Sequence, residues 1–179
     1  MGNITNKIEK IIFLFELVRD IPYGNIGKRK ILEVLEQKRG SCSGKHLLLG
    51  KLYELLGLKV KYMMGKTNLK NFNKLIPEKL CLKEDVFDYH NYIKVYINNK
   101  WLVVDATFDS ALKCLGFPVN DKWFADRDCQ LAFETIDNNE VVDLSDAKIK
   151  ALSGLTKAQR IKRYNFFQNF ISWLERIRY

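Results

Sequence analysis

Two asparagines constrain this chain more tightly than any other residues. In the stretch DYHNYIKVYINNKWLVVDATFD, Tyr89 to Ile97 and Lys100 to Thr107 are both strand-like, and only Asn98-Asn99 separates them. Asparagine tolerates positive φ, which a tight two-residue hairpin requires, so the sequence predicts an antiparallel pair with Ile97 opposite Lys100. That register puts Tyr92 opposite Asp105 and His90 opposite Thr107. His90 and Asp105 then become diagonal neighbours on one face, roughly 7 Å apart at the backbone and within reach of each other's side chains. Ile93, Val95, Leu102 and Val104 share the other face and belong to a core. A three-residue turn would flip one strand and separate the two polar groups.

A second stretch, RGSCSGKHLLLGKLYELLG from Arg39 to Gly57, reads as a glycine-rich turn, a cysteine and then a helix. Leu47, Leu48, Leu52, Leu55 and Leu56 recur at helical spacing, and Gly57 stands where a C-terminal cap belongs. Ser41 suits the N-cap, which places Cys42 in the first helical turn. There the unpaired backbone N–H groups and the helix dipole favour thiolate over thiol.

The remaining elements follow in order. Ile4, Ile8, Ile11, Ile12, Phe15 and Val18 form a one-sided stripe, so residues 4–19 are an amphipathic helix. Pro22 ends it and Tyr23-Gly24-Asn25 makes a turn. Ile31, Val34 and Leu35 suggest a second short helix. Val60, Tyr62 and Met64 alternate with Lys59, Lys61 and Met63 in a strand ending at Gly65. Residues 66–88 form a long excursion with a short helix around Leu75–Leu82. Residues 108–145 read as strands and loops, with Leu131-Ala132-Phe133 and Val141-Val142 as strand candidates. Thr156-x-x-Gln159 is a capping-box signature opening a long helix, with Ile161, Tyr164, Phe167, Ile171, Leu174 and Ile177 as its buried stripe. Phe166, Phe170 and Trp173 widen that apolar surface, and five arginines and lysines make the opposite face basic. Docking on a membrane or a partner is the functional alternative for residues 156–179. Packing on the domain formed by residues 1–155, or pairing in a homodimer, is favoured.

Composition narrows the function classes. With 179 residues the chain is expected to form one domain with a real core. The net charge of +9 comes from scattered lysines with no basic run, which argues for a solvated surface rather than a nucleic-acid site. The four cysteines contain no C-x-x-C pair and no disulfide framework. No signal peptide or transmembrane-length apolar run is read, so the expectation is a reduced, cytoplasmic protein without a cofactor.

Cysteine, histidine and aspartate in this order are a complete set for nucleophilic chemistry. A neutral thiol is mostly protonated at pH 7, and a nearby imidazole can take its proton. A carboxylate on the imidazole's far nitrogen orients the ring and stabilises its charged form. Backbone N–H groups at the helix start, that of Cys42 included, can hold a developing oxyanion, and Gln37 is a further candidate donor. His46, one turn beyond Cys42, opens a zinc alternative with Cys42, His90 and Asp105. No second chelating pair supports it, so His46 is read as a hydrogen-bonded packing or pocket residue. Cys81, Cys114 and Cys129 have no evident polar partner.

The pattern Gly-x-Cys opening a leucine-rich helix, a glycine-ended strand, then His-x-x-x-x-Val-x-x-x-x-x-Trp-x-x-x-Asp resembles the transglutaminase-like family of papain-type folds, between Ile21 and Asp109. The resemblance implies an α+β fold in which the cysteine helix packs on an antiparallel sheet carrying the histidine and aspartate. It implies Cys42 as nucleophile, His90 as base and Asp105 as orienter, acting on an amide of a peptide or protein through a thioester. Calcium loops and the multi-domain frame of animal crosslinking enzymes are not apparent here, and hydrolysis is the favoured fate. The rival is a catalytically silent module that binds a peptide or protein in the same cleft.

Overall fold

The computed structural model describes residues 6–24 and 30–178. Its elements run α1 (Lys7–Arg19), α2 (Ile31–Gln37), α3 (Cys42–Leu55), β1 (Val60–Asn68), β2 (Phe87–Ile97), β3 (Lys100–Val104), β4 (Ile136–Val141), α4 (Leu144–Ser153) and α5 (Lys157–Ile177). The expected turn residue Asn25 and Ile4 of the first helix lie outside the described residues.

Four antiparallel strands form one sheet in the order β3-β2-β1-β4. Asn98 and Asn99 both adopt positive φ, and the β2–β3 hairpin pairs Ile97 with Lys100 and Ile93 with Val104. Pairing stops there, so the expected Tyr92–Asp105 and His90–Thr107 pairs are not made. The backbone of the next residues is taken by side chains instead: Ala106 N–H donates to His46 Nε2 at 2.8 Å, and Asn120 Nδ2 donates to the Asp105 carbonyl at 2.9 Å. His90 pairs across the other edge with Gly65 of β1. A Cβ on Gly65 would strike the Asn138 side chain and Thr135, so glycine allows β4 to close against β1 at a register shift.

Two hydrophobic clusters flank the sheet. The first joins Ile11, Phe15 and Val18 of α1 and Leu48, Leu49 and Tyr53 of α3 to Ile93, Val95, Leu102 and Val104. Buried Lys45 staples this side together. Its ammonium donates to the carbonyls of Arg19, Ile21 and Thr107 at 2.8, 2.7 and 2.8 Å, satisfying all three of its N–H groups. The second cluster is aromatic: Phe72, Phe108, Phe117 and Phe133 receive Phe166, Phe170 and Leu174 of α5.

Several expectations change. β1 runs on to Asn68, and the excursion after it holds two 3-10 turns, Leu69–Lys74 and Glu78–Leu80, rather than a helix over Leu75–Leu82. Residues 131–133 are loop, because Ala132 N–H is used by a carboxylate, and the strand lies at Ile136–Val141. Helix α4, almost all of it beyond the 108–145 stretch read as strands and loops, is an element the sequence reading did not assign; it is capped by Asp143, whose carboxylate accepts from Ser145 and Asp146 N–H. The buried stripe of α5 is met in part: Leu174 is buried and Phe167 and Ile171 pack at its edge, but Ile161, Tyr164 and Ile177 are exposed and Phe166 and Phe170 take the centre. Apolar residues cover a wide arc of this helix, and ring contacts of Phe170 with Tyr23, Phe72 and Phe117 decide which of them turn inward. Among the described residues no helix is long and apolar enough to cross a membrane.

Candidate active site

Cys42 opens α3, as its N-cap spacing predicts, with Ser41 extended before it. The Ser41 hydroxyl makes no capping hydrogen bond, so the helix start is not closed by its own N-cap side chain. Gly44 permits the tight approach of α2 here, since a Cβ would lie 2.8 Å from Val34. His90 comes from β2 and Asp105 from the turn after β3, and all three side chains are buried.

Asp105 is the fixed point of the cluster. Its Oδ2 lies 2.7 Å from His90 Nε2 and accepts from Ala132 N–H at 2.8 Å, while Oδ1 accepts from Thr107 N–H at 3.0 Å. Burial alone would raise its pKa, but His90 and these donors hold it well below the usual carboxylate range. A carboxylate at Nε2 leaves Nδ1 of His90 for the thiol. Nδ1 is buried without a hydrogen bond of its own, and Cys42 is one of the groups whose charge acts on the ring. Burial disfavours the imidazolium, yet Asp105 and Cys42 together raise His90 to about 9. Phe133 packs against the His90 ring, with centroids 4.8 Å apart, and helps hold its plane.

Cys42 responds in the opposite sense. Burial would raise its pKa, but Lys148, His90 and the Asn91 backbone N–H bring it down to about 6. Between those two values the stable pair is thiolate and imidazolium. Ser43 stands beside the sulfur at 4.0 Å and donates to Asn91 Oδ1 at 2.7 Å.

His46 is a brace. Its Nε2 accepts from Ala106 N–H, so its proton resides on Nδ1, which donates to the Cys42 carbonyl at 2.8 Å. Both nitrogens are therefore engaged, leaving none for a zinc ion, and burial pushes its pKa down to about 4. Among the described residues no group of three or more His, Cys, Asp or Glu could hold a metal. Gln37 ends α2 with its side chain exposed and does not line the cleft, so the fold does not bring it to Cys42. All four cysteines are free thiols.

Three residues at the site carry no signal in the triad pattern. Lys148 of α4 ends 3.8 Å from Cys42 Sγ and 3.4 Å from Asp88 Oδ2, and Arg163 Nε of α5 lies 2.6 Å from Asp88 Oδ1. The Asp143 cap before a ten-residue helical segment is the one signal that could have located Lys148. With Tyr23, Phe167 and Ile171 these groups surround a pocket of about 290 Å³ that has Cys42 in its wall.

Residues 1–106 match the family model of the transglutaminase-like superfamily, and the chain belongs to that superfamily. Two solved structures are similar. A candidate cysteine protease from Cytophaga hutchinsonii is 16% identical with a TM-score of 0.44, over 80% of this chain and 38% of its own. A TGase is 15% identical with a TM-score of 0.37, over 85% of this chain and 49% of its own. The chain thus spans less than half the length of either. No curated protein matches it.

Proposed function

We propose that the protein is a cysteine-dependent enzyme of amide acyl transfer, with Cys42 as nucleophile, His90 as general acid and base and Asp105 as its orienter. The observation that carries this reading is the buried Asp105–His90 hydrogen bond, with His90 Nδ1 left unpaired and Cys42 buried at the start of a helix beside a cation. The Cys42 thiolate attacks the amide carbonyl carbon and forms a C–S bond. Oxyanion charge is met by backbone N–H groups of the first turn of α3. The His90 imidazolium gives its proton to the departing nitrogen as the C–N bond breaks, leaving a thioester and a neutral ring. Water then attacks the thioester, His90 takes one of its protons, and the C–S bond breaks to re-form the thiolate and release a carboxylic acid, which ionises in solvent. An amine in place of water gives transamidation by the same steps. Hydrolysis of a peptide or protein substrate is the favoured fate, because the pocket is small and partly lined by charged groups.

The test is iodoacetamide alkylation of the whole protein against pH, with each cysteine followed by mass spectrometry. Cys42 is expected to label fastest, with an apparent pKa near 6 rather than the roughly 8.5 of a free thiol. Labelling no faster than Cys81, Cys114 and Cys129 would leave the silent binding module as the reading.

A further inference from the structure

Two cations stand in the wall of the pocket beside Cys42, and only one of them reaches the sulfur. Asp88 is shared by two cations, Lys148 and Arg163, so one carboxylate balances only one of them. The Cys42–His90 pair next to them is neutral in sum when it is thiolate and imidazolium. With the Asp105 carboxylate included, the whole cluster is balanced, and what sets Lys148 and Arg163 apart is that two cations share one carboxylate.

The geometry also leaves donors unused. Lys148 is buried, yet neither of its two polar contacts, 3.4 Å to Asp88 and 3.8 Å to Cys42, is a short hydrogen bond. Arg163 spends only Nε on Asp88, and among the described residues its two terminal nitrogens make no hydrogen bond. Its guanidinium is held over the Phe167 ring at 4.9 Å, so the fork is oriented before any ligand arrives. Such a fork matches the two oxygens of a carboxylate. The volume, about 290 Å³, is at the lower edge of the roughly 300–1,000 Å³ usual for ligand pockets and suits a group of one or two residues. Tuning of the thiolate accounts for Lys148 alone, since Arg163 has no contact with the sulfur.

We infer that Arg163 and Lys148 form a carboxylate-recognition subsite, so that the preferred substrates are amides carrying a free carboxylate close to the scissile bond. The inference rests on Cys42 being the nucleophile and adds the substrate's charge to that reading. The carboxylate can belong to an acidic side chain or to a chain terminus, and the chemistry of recognition is the same.

The experiment compares alkylation of the full chain by iodoacetate, an anion, and by iodoacetamide, its neutral counterpart, at each cysteine. Exposed Cys114 is the internal reference for the field of the whole protein. The iodoacetate-to-iodoacetamide rate ratio at Cys42 should exceed that at Cys114 by about tenfold. Arg163→Gln should remove most of that preference. Lys162→Gln, which deletes a charge of the same helix that pairs outward with Glu84, should keep it. A ratio at Cys42 no higher than at Cys114, or one that survives Arg163→Gln, overturns the subsite while fast iodoacetamide labelling leaves the nucleophile standing. Slow labelling of Cys42 by both reagents overturns the nucleophile and the subsite together. Protection of Cys42 by acetyl-Ala-Glu-amide assigns a side-chain carboxylate, and protection by acetyl-Ala-Ala with a free terminus assigns the chain end. Protection by neither, or equally by acetyl-Ala-Ala-amide, overturns the inference.

Discussion

The candidate site is built from two parts of the chain that organise their charges differently. Residues 1–106, the part that matches the family, supply Cys42, His90 and Asp105. The part beyond supplies Lys148 and Arg163 on α4 and α5. Each group centres on a buried carboxylate. Asp105 is held by two backbone N–H groups and an imidazole, all of them rigid donors. Asp88 is held by the ends of two long cationic side chains. Backbone donors fix a geometry that few substitutions can alter, whereas helix-borne cations can be exchanged without moving the reacting atoms. The difference suits a constant chemistry with a variable substrate wall. The division is not complete, because Ala132 N–H, which secures Asp105, also comes from beyond residue 106.

The harshest way to break this comparison is to remove α5. Deletion of residues 156–179 strips Phe166, Phe170 and Leu174 from the aromatic cluster. Each is worth roughly 1.5–3 kcal/mol when fully buried, against a total stability of about 5–15 kcal/mol. The truncated chain is expected to lose its cooperative thermal transition. A folded, soluble product with unchanged Cys42 labelling would mean that the two parts are energetically separate.

Asp105→Asn acts next most strongly and tests the rigid carboxylate. Both oxygens accept from N–H groups, so an amide nitrogen at either place faces a donor. If the nitrogen faces His90, it also favours the wrong imidazole tautomer. Cys42 alkylation should fall on the order of 10²–10⁴-fold. Stability should fall by about 1–3 kcal/mol in urea titration, the cost of an unsatisfied buried group. Wild-type alkylation in this variant would show that something else orients His90.

Lys148→Met probes the flexible carboxylate with a smaller effect. Arg163 still pairs Asp88, but the thiolate loses the Lys148 charge 3.8 Å away. The acid limb of the Cys42 pH profile should move up by about 1 unit or more from its position near 6. Alkylation at pH 6 then drops about fivefold or more, while at pH 9 the thiolate is present in both proteins and the rates converge. An equal loss at both pH values would mean that Lys148 acts on access to the sulfur and not on its ionisation.

How much of this was legible in the sequence follows from how local each signal is. Asn98-Asn99 sets the hairpin register by itself, and Ser41 and Gly57 bracket α3 by themselves. Cys42 therefore stands at the start of α3 and His90 on β2 as read, although the expected His90–Thr107 pair is not made. Asp105 read onto a strand but sits just past one, because the partners that end β3, His46 and Asn120, are distant in the chain. Lys148 and Arg163 had no chance of being read. Each is one basic residue among 30, and only tertiary packing of α4 and α5 against β2 makes them neighbours of Cys42. The α5 stripe was legible only in part, at Leu174 and the edge residues Phe167 and Ile171: where apolar residues spread over a wide arc, the partner decides which of them is central, and that partner is the aromatic cluster.

The smallest effect separates the folding of α5 from its docking. Thr156 caps α5 by accepting from Gln159 N–H, which is one half of the expected capping box. The other half is absent. Gln159 does not return to Thr156 but accepts from Phe87 N–H at 3.2 Å and donates to the Asp85 carbonyl at 3.0 Å. Its side chain thus fastens α5 to the entry of β2, one residue before Asp88. Thr156→Ala should cost about 1 kcal/mol of stability, the usual value of a lost N-cap. It should leave the iodoacetate-to-iodoacetamide ratio at Cys42 as it is, since the helix is still tied down by Gln159. Gln159→Ala should cost a similar amount but lower that ratio, because Asp88 and Arg163 lose the clamp beside them. If the two variants instead change the ratio equally, α5 is positioned by its aromatic face alone and the clamp contributes nothing to the wall of the pocket.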